Sequence, residues 1–132
     1  MGLHDAWFDA IRSGDVDEVR KMLDDGADPA WRDDRIEGDN ATALLDAAAL
    51  GNATMVTLLL EHGADVNARS ATGSTPLLWA CNGGSLEVAR LVLEAGADPD
   101  VRNDEGYSAY GRVPGNCPDL VALMKRVSSL ER

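Results

Sequence analysis

Only two cysteines, Cys81 and Cys117, occur in 132 residues, too few for a disulfide framework and at no metal-ligand spacing. Lysine is equally scarce, and Lys plus Arg reach 12 against 23 for Asp plus Glu, a formal net charge of -11. So few cations disfavour nucleic acid, whose binding needs cationic groups to displace counterions from phosphates. The acid excess is compatible with a basic protein partner or simply with solubility. It is uneven, because residues 1–40 hold 12 acidic side chains and 5 basic ones. No apolar run approaches the roughly 18 residues of a membrane span. The first six residues, Met1 to Ala6, lack both the basic and the apolar regions of an export signal and the Ser or Thr of a myristoylation signal. A reducing cytoplasm is therefore expected, and Asn40-Ala41-Thr42 and Asn52-Ala53-Thr54 are chance glycosylation triplets. Ten Arg beside two Lys hint at a GC-rich, bacterial genome.

Catalytic signatures are missing as well. There is no phosphate-binding Gly-rich loop, no paired-histidine motif and no Gly-x-Ser-x-Gly elbow. His4 falls near the chain start, where fraying is expected, and His62 precedes Gly63 at a helix end, where imidazole commonly caps carbonyls. Cys81 reads as core, while Cys117 sits in an irregular turn. No catalytic residue, cofactor or metal is expected.

What the sequence does contain is a period. Gly26-Ala27-Asp28, Gly63-Ala64-Asp65 and Gly96-Ala97-Asp98 recur at spacings of 37 and 33 residues. Upstream of each lies an apolar run ending in Met22-Leu23, Leu59-Leu60 or Val92-Leu93, and before it a helix rich in small residues. Gly14, Gly51 and Gly84 stand between the two, each placed to end the first helix in a left-handed conformation. Thr42, Thr75 and Asp5 are candidate caps of the first helices, and Pro76 suits a first helical turn. No such unit can bury its apolar faces alone, so neighbours must stack.

Thr75-Pro76-Leu77-Leu78-Trp79-Ala80, then Gly84-Ser85-Leu86-Glu87-Val88 and Gly96-Ala97-Asp98, resemble the ankyrin-repeat signature. The resemblance runs from about Asp5 to Leu130. It implies an all-α solenoid of four helix-pair units, at about 4–36, 37–69, 70–102 and 103–132, in a single domain with projecting hairpin fingers. The first helices and fingers would line a concave groove, and the second helices would form the convex back. By the same resemblance the function is protein–protein interaction through groove and fingers.

The end units depart from the pattern as caps must. Where the second and third units have Met55 with Leu58 and Val88 with Leu91, the first has Glu18 and Lys21, which can pair on a solvated face. The fourth unit meets Gly111, Pro114 and Gly115, so a full first helix is not expected there. A helix restarts at Pro118. The spacing of 37 implies four extra residues in the first finger, between Arg32 and Asn40. Its acids do not make a calcium loop, because Asp33 as first ligand puts Arg35 where an oxygen is required.

Aligning the units singles out the column Asp9, Asp46, Trp79 and Arg112, between the core columns Trp7, Leu44, Leu77, Tyr110 and Ala10, Ala47, Ala80, Val113. Acid, acid, indole and cation are not expected to be uniformly buried, since an unpaired buried carboxylate is costly. This column is therefore expected to border the groove, with Leu50 and Asn82 one turn along. Trp79 has two readings, a groove anchor or a core residue packed on the finger bases. Arg32, Arg69 and Arg102 form a second column, expected to pair with Asp33, Glu37, Asp39, Asp104 or Glu105. The candidate footprint is Asp46, Leu50, Trp79, Asn82 and Arg112, with Asp39, Ala71, Thr72, Asp104, Glu105 and Tyr107 on or near the fingers. Asp33, Asp34, Glu37 and Asp39 would steer a basic partner towards it. Two uses fit: a general adaptor, or a small acidic inhibitor of a basic protein, such as an immunity protein or antitoxin. Because both end units carry charge where stacking would need apolar surface, the chain should sediment as a monomer. A dimer persisting at low micromolar concentration overturns that reading of the caps.

Overall fold

Turns of two or three residues join the helices of each pair, which requires one helix to stop and the next to start without a linker. The computed structural model describes residues 2–34, 40–83, 85–109 and 118–130, with side chains of the last segment over 120–126. It contains α1 (Leu3–Ser13), α2 (Val16–Asp24), α3 (Ala43–Leu50), α4 (Ala53–Glu61), α5 (Pro76–Asn82), α6 (Leu86–Glu94) and α7 (Pro118–Leu130). Gly14 and Gly51, at φ 77° and 72°, end α1 and α3 in the left-handed region that a side chain disfavours. The next residue already caps the second helix. Asp15 accepts from the Glu18 amide at 3.1 Å, Asn52 from Met55 at 3.1 Å and Ser85 from Val88 at 3.4 Å. In the third pair Gly83, at φ −82°, ends α5, and Gly84 lies outside the described residues.

The expected caps of the first helices hold in one case only. Thr75 accepts from the Leu78 amide at 3.2 Å and Pro76 follows it at the first helical position. Thr42 makes no such bond, and Asp5 lies inside the first turn because α1 begins at Leu3. Nor is His4 frayed. Its ring lies 4.3 Å from that of Trp31, which in turn meets Trp7 edge-on at 6.2 Å. Aromatic contacts in this range add roughly 0.5–1.5 kcal/mol beyond area burial, enough to hold the first turn against the first finger.

Three helix pairs stack side by side, α3 between α1 and α5, and α4 between α2 and α6, with α7 against α6. The middle position explains α3, in which residues 43–48 are all buried: a helix with neighbours on both sides has no polar face to keep. Trp7, Leu44 and Leu77 form one fully buried column, and Ala10, Ala47 and Ala80 another, their small side chains letting backbones approach. Tyr110 and Val113 lie outside the described residues. On the second helices Met55, Leu58 and Val88 are buried, while Glu18 and Lys21 of the end unit are exposed. The exposed pair there is Asp17 with Arg20, at 3.7 Å, rather than Glu18 with Lys21. Among the described residues no helix is long and apolar enough to cross a membrane.

The fingers are held by a ladder of arginines. Arg32 donates to Asn40 O at 3.0 Å within its own finger and to Arg69 O in the next at 2.6 Å. Arg69 likewise donates to Gly73 O at 3.1 Å and Arg102 O at 2.6 Å, and Arg102 to Gly106 O at 2.7 Å. Among the described residues none of the three pairs with an acid, because a guanidinium with five donors satisfies otherwise orphaned carbonyls of two fingers at once. Glu37 and Asp39 lie outside the described set. Asn40 takes the seat of the finger glycines: its φ is 51°, against 80° for Gly73 and 86° for Gly106. The four extra residues are therefore accommodated between Arg32 and Asn40, in a stretch that includes residues 35–39, outside the described set.

Asp33 does not join the steering cluster expected of it. It is 2% exposed, bridges to Ala41 and lies 3.0 Å from the Arg12 guanidinium. The same guanidinium reaches Asp46 at 3.5 Å, tying α1, the first finger and α3 together. Removing one partner of a buried pair typically costs about 3–5 kcal/mol. Arg12 is about one-third exposed, so Arg12→Ala is expected to lose about 2–4 kcal/mol on denaturant unfolding. A loss below about 1 kcal/mol, the range of surface pairs, would show that the bridge adds little.

Candidate partner-binding groove

Exposed residues at the ends of α3 and α5 adjoin two depressions, one of which also reaches the second and third fingers. Leu50, at the end of α3, is 53% exposed despite its apolar side chain. Ala49 beside it and Asn82 and Gly83 at the end of α5 are also exposed. Trp79 is half-buried, packed against a small cluster of Ala41, Leu45 and Ala68 at the finger bases. The remainder of the indole is shared by two depressions. One, of about 250 Å³, is lined by Ala49, Trp79, Asn82 and Gly83. The other, of about 240 Å³, is lined by Thr72, Ser74, Leu78, Trp79, Asn82, Asn103 and Glu105. Both of the alternatives for Trp79 therefore describe part of the same side chain.

Asp46 does not border this groove. It is 9% exposed, and the Arg12 guanidinium supplies the counter-charge that makes its burial tolerable. The expectation failed because it took a buried carboxylate here to be unpaired, whereas a cation reaches it from the preceding unit. Arg112 and Asp39 fall outside the described residues. The structure brings Trp79, Asn82, Thr72 and Glu105 to one cleft, with Leu50 on the α3 side. Ala71, Asp104 and Tyr107 are exposed on the fingers but line neither depression.

Ser74, Leu78 and Asn103 also line the cleft and escaped the sequence reading. The signal for two of them lay in the columns: Ser74 immediately precedes a cap threonine, and Asn103 immediately follows a ladder arginine. Asn103 accepts from the amides of Glu105 and Tyr107, both at 3.0 Å, which fixes the third finger tip. The second and third fingers touch directly, Asp104 donating its amide to Thr72 O at 2.9 Å. A Cβ on Gly73 would come within 2.8 Å of the Asp104 carboxylate, so that approach requires glycine. At the other end of the chemistry, His62 Nδ1 donates to Leu58 O at 2.9 Å, and Cys81 is buried. Cys117 lies outside the described residues. Among the described residues no group of three metal-ligating side chains assembles.

Stacked helix pairs with ladder-joined fingers and an open groove define a repeat solenoid built to present a surface. A profile of three ankyrin repeats matches residues 7–103, and the chain belongs to the ankyrin-repeat family, whose repeats are in general protein–protein interaction modules. It is 35% identical to protein phosphatase 1 regulatory subunit 27 of Mus musculus over 122 residues, 92% of this chain and 77% of that subunit. It is 40% identical over 77 residues to a putative ankyrin repeat protein of Pyrobaculum aerophilum, covering 58% of this chain and 27% of that protein. Over 72 residues it is 44% identical to the probable E3 ubiquitin-protein ligase XBOS33 of Oryza sativa subsp. japonica. That match spans only 14% of the ligase, so it concerns the repeats alone.

The position of Trp79 has an energetic consequence. Truncating a fully buried Trp costs about 3–5 kcal/mol, which is the loss expected for Trp7→Ala. For Trp79→Ala, only part of the indole leaves an apolar environment, and about 1–2 kcal/mol is expected on the same scale. Equal losses for the two variants, measured by chemical denaturation, would assign Trp79 to the core.

Proposed function

We propose that this chain binds one protein partner across the groove between its first helices and its fingers, and performs no chemistry of its own. The observation that carries the reading is the half-buried Trp79, shared by two clefts, one of them lined by Ala49 beside the exposed Leu50. A rigid aromatic with its base packed and its remainder open is the kind of residue that dominates interface energies. The relative named as a phosphatase regulatory subunit supports binding to a protein, and the partner itself is this chain's own question.

The partner presents a basic contact surface. Asp34, Asp104 and Glu105 are exposed on the fingers, whereas Asp33 is withdrawn into its pair with Arg12. Exposed charges act over roughly 8 Å at physiological ionic strength, so these acids steer encounter while the apolar groove limits dissociation. The net charge of -11 also suits the narrower reading, a dedicated inhibitor that covers a basic protein. Both readings place the monomeric chain in the cytoplasm and share one test. Wild type and Leu50→Asp, immobilised separately, are used to capture partners from the native lysate at low and high salt. A protein retained by wild type, lost with Leu50→Asp and weakened by salt is expected. Equal retention by the two baits would remove the groove from the binding surface.

A further inference from the structure

Among the described residues, the ladder leaves Asp104 and Glu105 without the cations that the sequence offered them. Arg102 stands on the same finger as Glu105 and Arg69 on the neighbouring one, yet their guanidinium groups are committed to carbonyl oxygens. Arg12 is committed to Asp33 and Asp46, and Arg32 to carbonyls of two fingers. The remaining described cations, Arg20, Lys21, Arg90, Lys125 and Arg126, are on the second helices and α7. Glu105 therefore lines the cleft beside Trp79 with no ion pair to any described residue, and the Asn82 side chain likewise has no described hydrogen-bond partner.

We infer that the cleft between Trp79 and Glu105 is a subsite for an arginine side chain carried by a basic segment of the partner, an inference that rests on the groove reading above. An indole attracts a cation through its ring quadrupole, and a carboxylate beside it adds charge-assisted hydrogen bonds. Of the other lining groups, Thr72, Ser74 and Asn82 carry further oxygens for a planar group with five donors, while the Asn103 oxygen is taken up by two backbone amides. An apolar side chain in the same place would strip water from Glu105 and Asn82 and return no hydrogen bond. Size also discriminates: about 240 Å³ falls below the usual 300–1,000 Å³ of a small-molecule site and suits a single side chain.

The test uses the whole ¹⁵N-labelled chain and two capped Gly-Ser nonapeptides, one with three arginines and one with three citrullines in their place. The arginine peptide should move the Trp79 indole N–H and the Asn82 side-chain amide, and the citrulline peptide should not. Glu105→Gln and Trp79→Leu should each weaken the arginine peptide by about fivefold or more. Glu87→Gln, an exposed acid on α6, should leave it unchanged. The spectra themselves report whether each variant is folded. Equal shifts from the two peptides, or unchanged affinity in Glu105→Gln, would overturn the subsite. If Leu50→Asp still abolishes capture while Glu105→Gln leaves it intact, the subsite falls and the groove reading stands. Capture that survives Leu50→Asp alongside a full arginine response would sink the groove reading instead.

Discussion

A helix of eight residues cannot sustain itself in water, since nucleation is unfavourable and isolated helices below about 12–15 residues are marginal. α3 has eight residues and α5 has seven, yet both are fully formed. They stand because each has a neighbouring helix pair to bury against. α3 loses nearly all its surface between α1 and α5, while its own partner α4 packs between α2 and α6. Every other feature follows from this dependence. The turns must stay short so that the pairs stay in register, the alanine columns must stay small, and the end units must turn polar where burial stops.

The architecture was legible because period is a one-dimensional property. Three glycines at matching offsets, the alanine columns and the Gly-Ala-Asp triplets each mark a repeated backbone requirement, and repetition separates them from chance. What was illegible is which side chains meet across helices, fingers and units. Arg12 pairs with Asp33 and Asp46, Arg32 with the carbonyl of Arg69, and His4 with Trp31. Arg12 with Asp46 and Arg32 with Arg69 cross from one unit to the next. Arg12 with Asp33 and His4 with Trp31 join a helix to the finger of its own unit, contacts that no repeated column marks. The same blindness placed Asp46 at the groove and Asp33 in the solvent. It also mistook the arginine column for a set of local ion pairs, because acids were near in sequence and carbonyls carry no letter.

In the candidate site, Trp79, Asn82, Thr72 and Glu105 converge although they come from a helix and two different fingers. The sequence could put each on the groove side but could not show that the cleft joins them, or that Ser74, Leu78 and Asn103 complete it. Nor could it show that Glu105 is left open. Among the described residues that condition goes with the arginines having been drawn into the backbone ladder, so the fingers' own construction shapes the charge they present.

The first finger shows how length and alignment are kept apart. Arg32 grips Asn40 O eight residues on, where Arg69 and Arg102 grip a carbonyl four residues on, and the bond to the next finger survives unchanged in kind. Closing a somewhat longer loop is thermodynamically mild, since each doubling of length adds only about 0.6 kcal/mol. Between a guanidinium and a left-handed residue, then, lies a cassette whose contents can grow without disturbing the register of anything outside it. Such a slot lets evolution, or an engineer, vary one recognition element while the rest of the scaffold remains untouched.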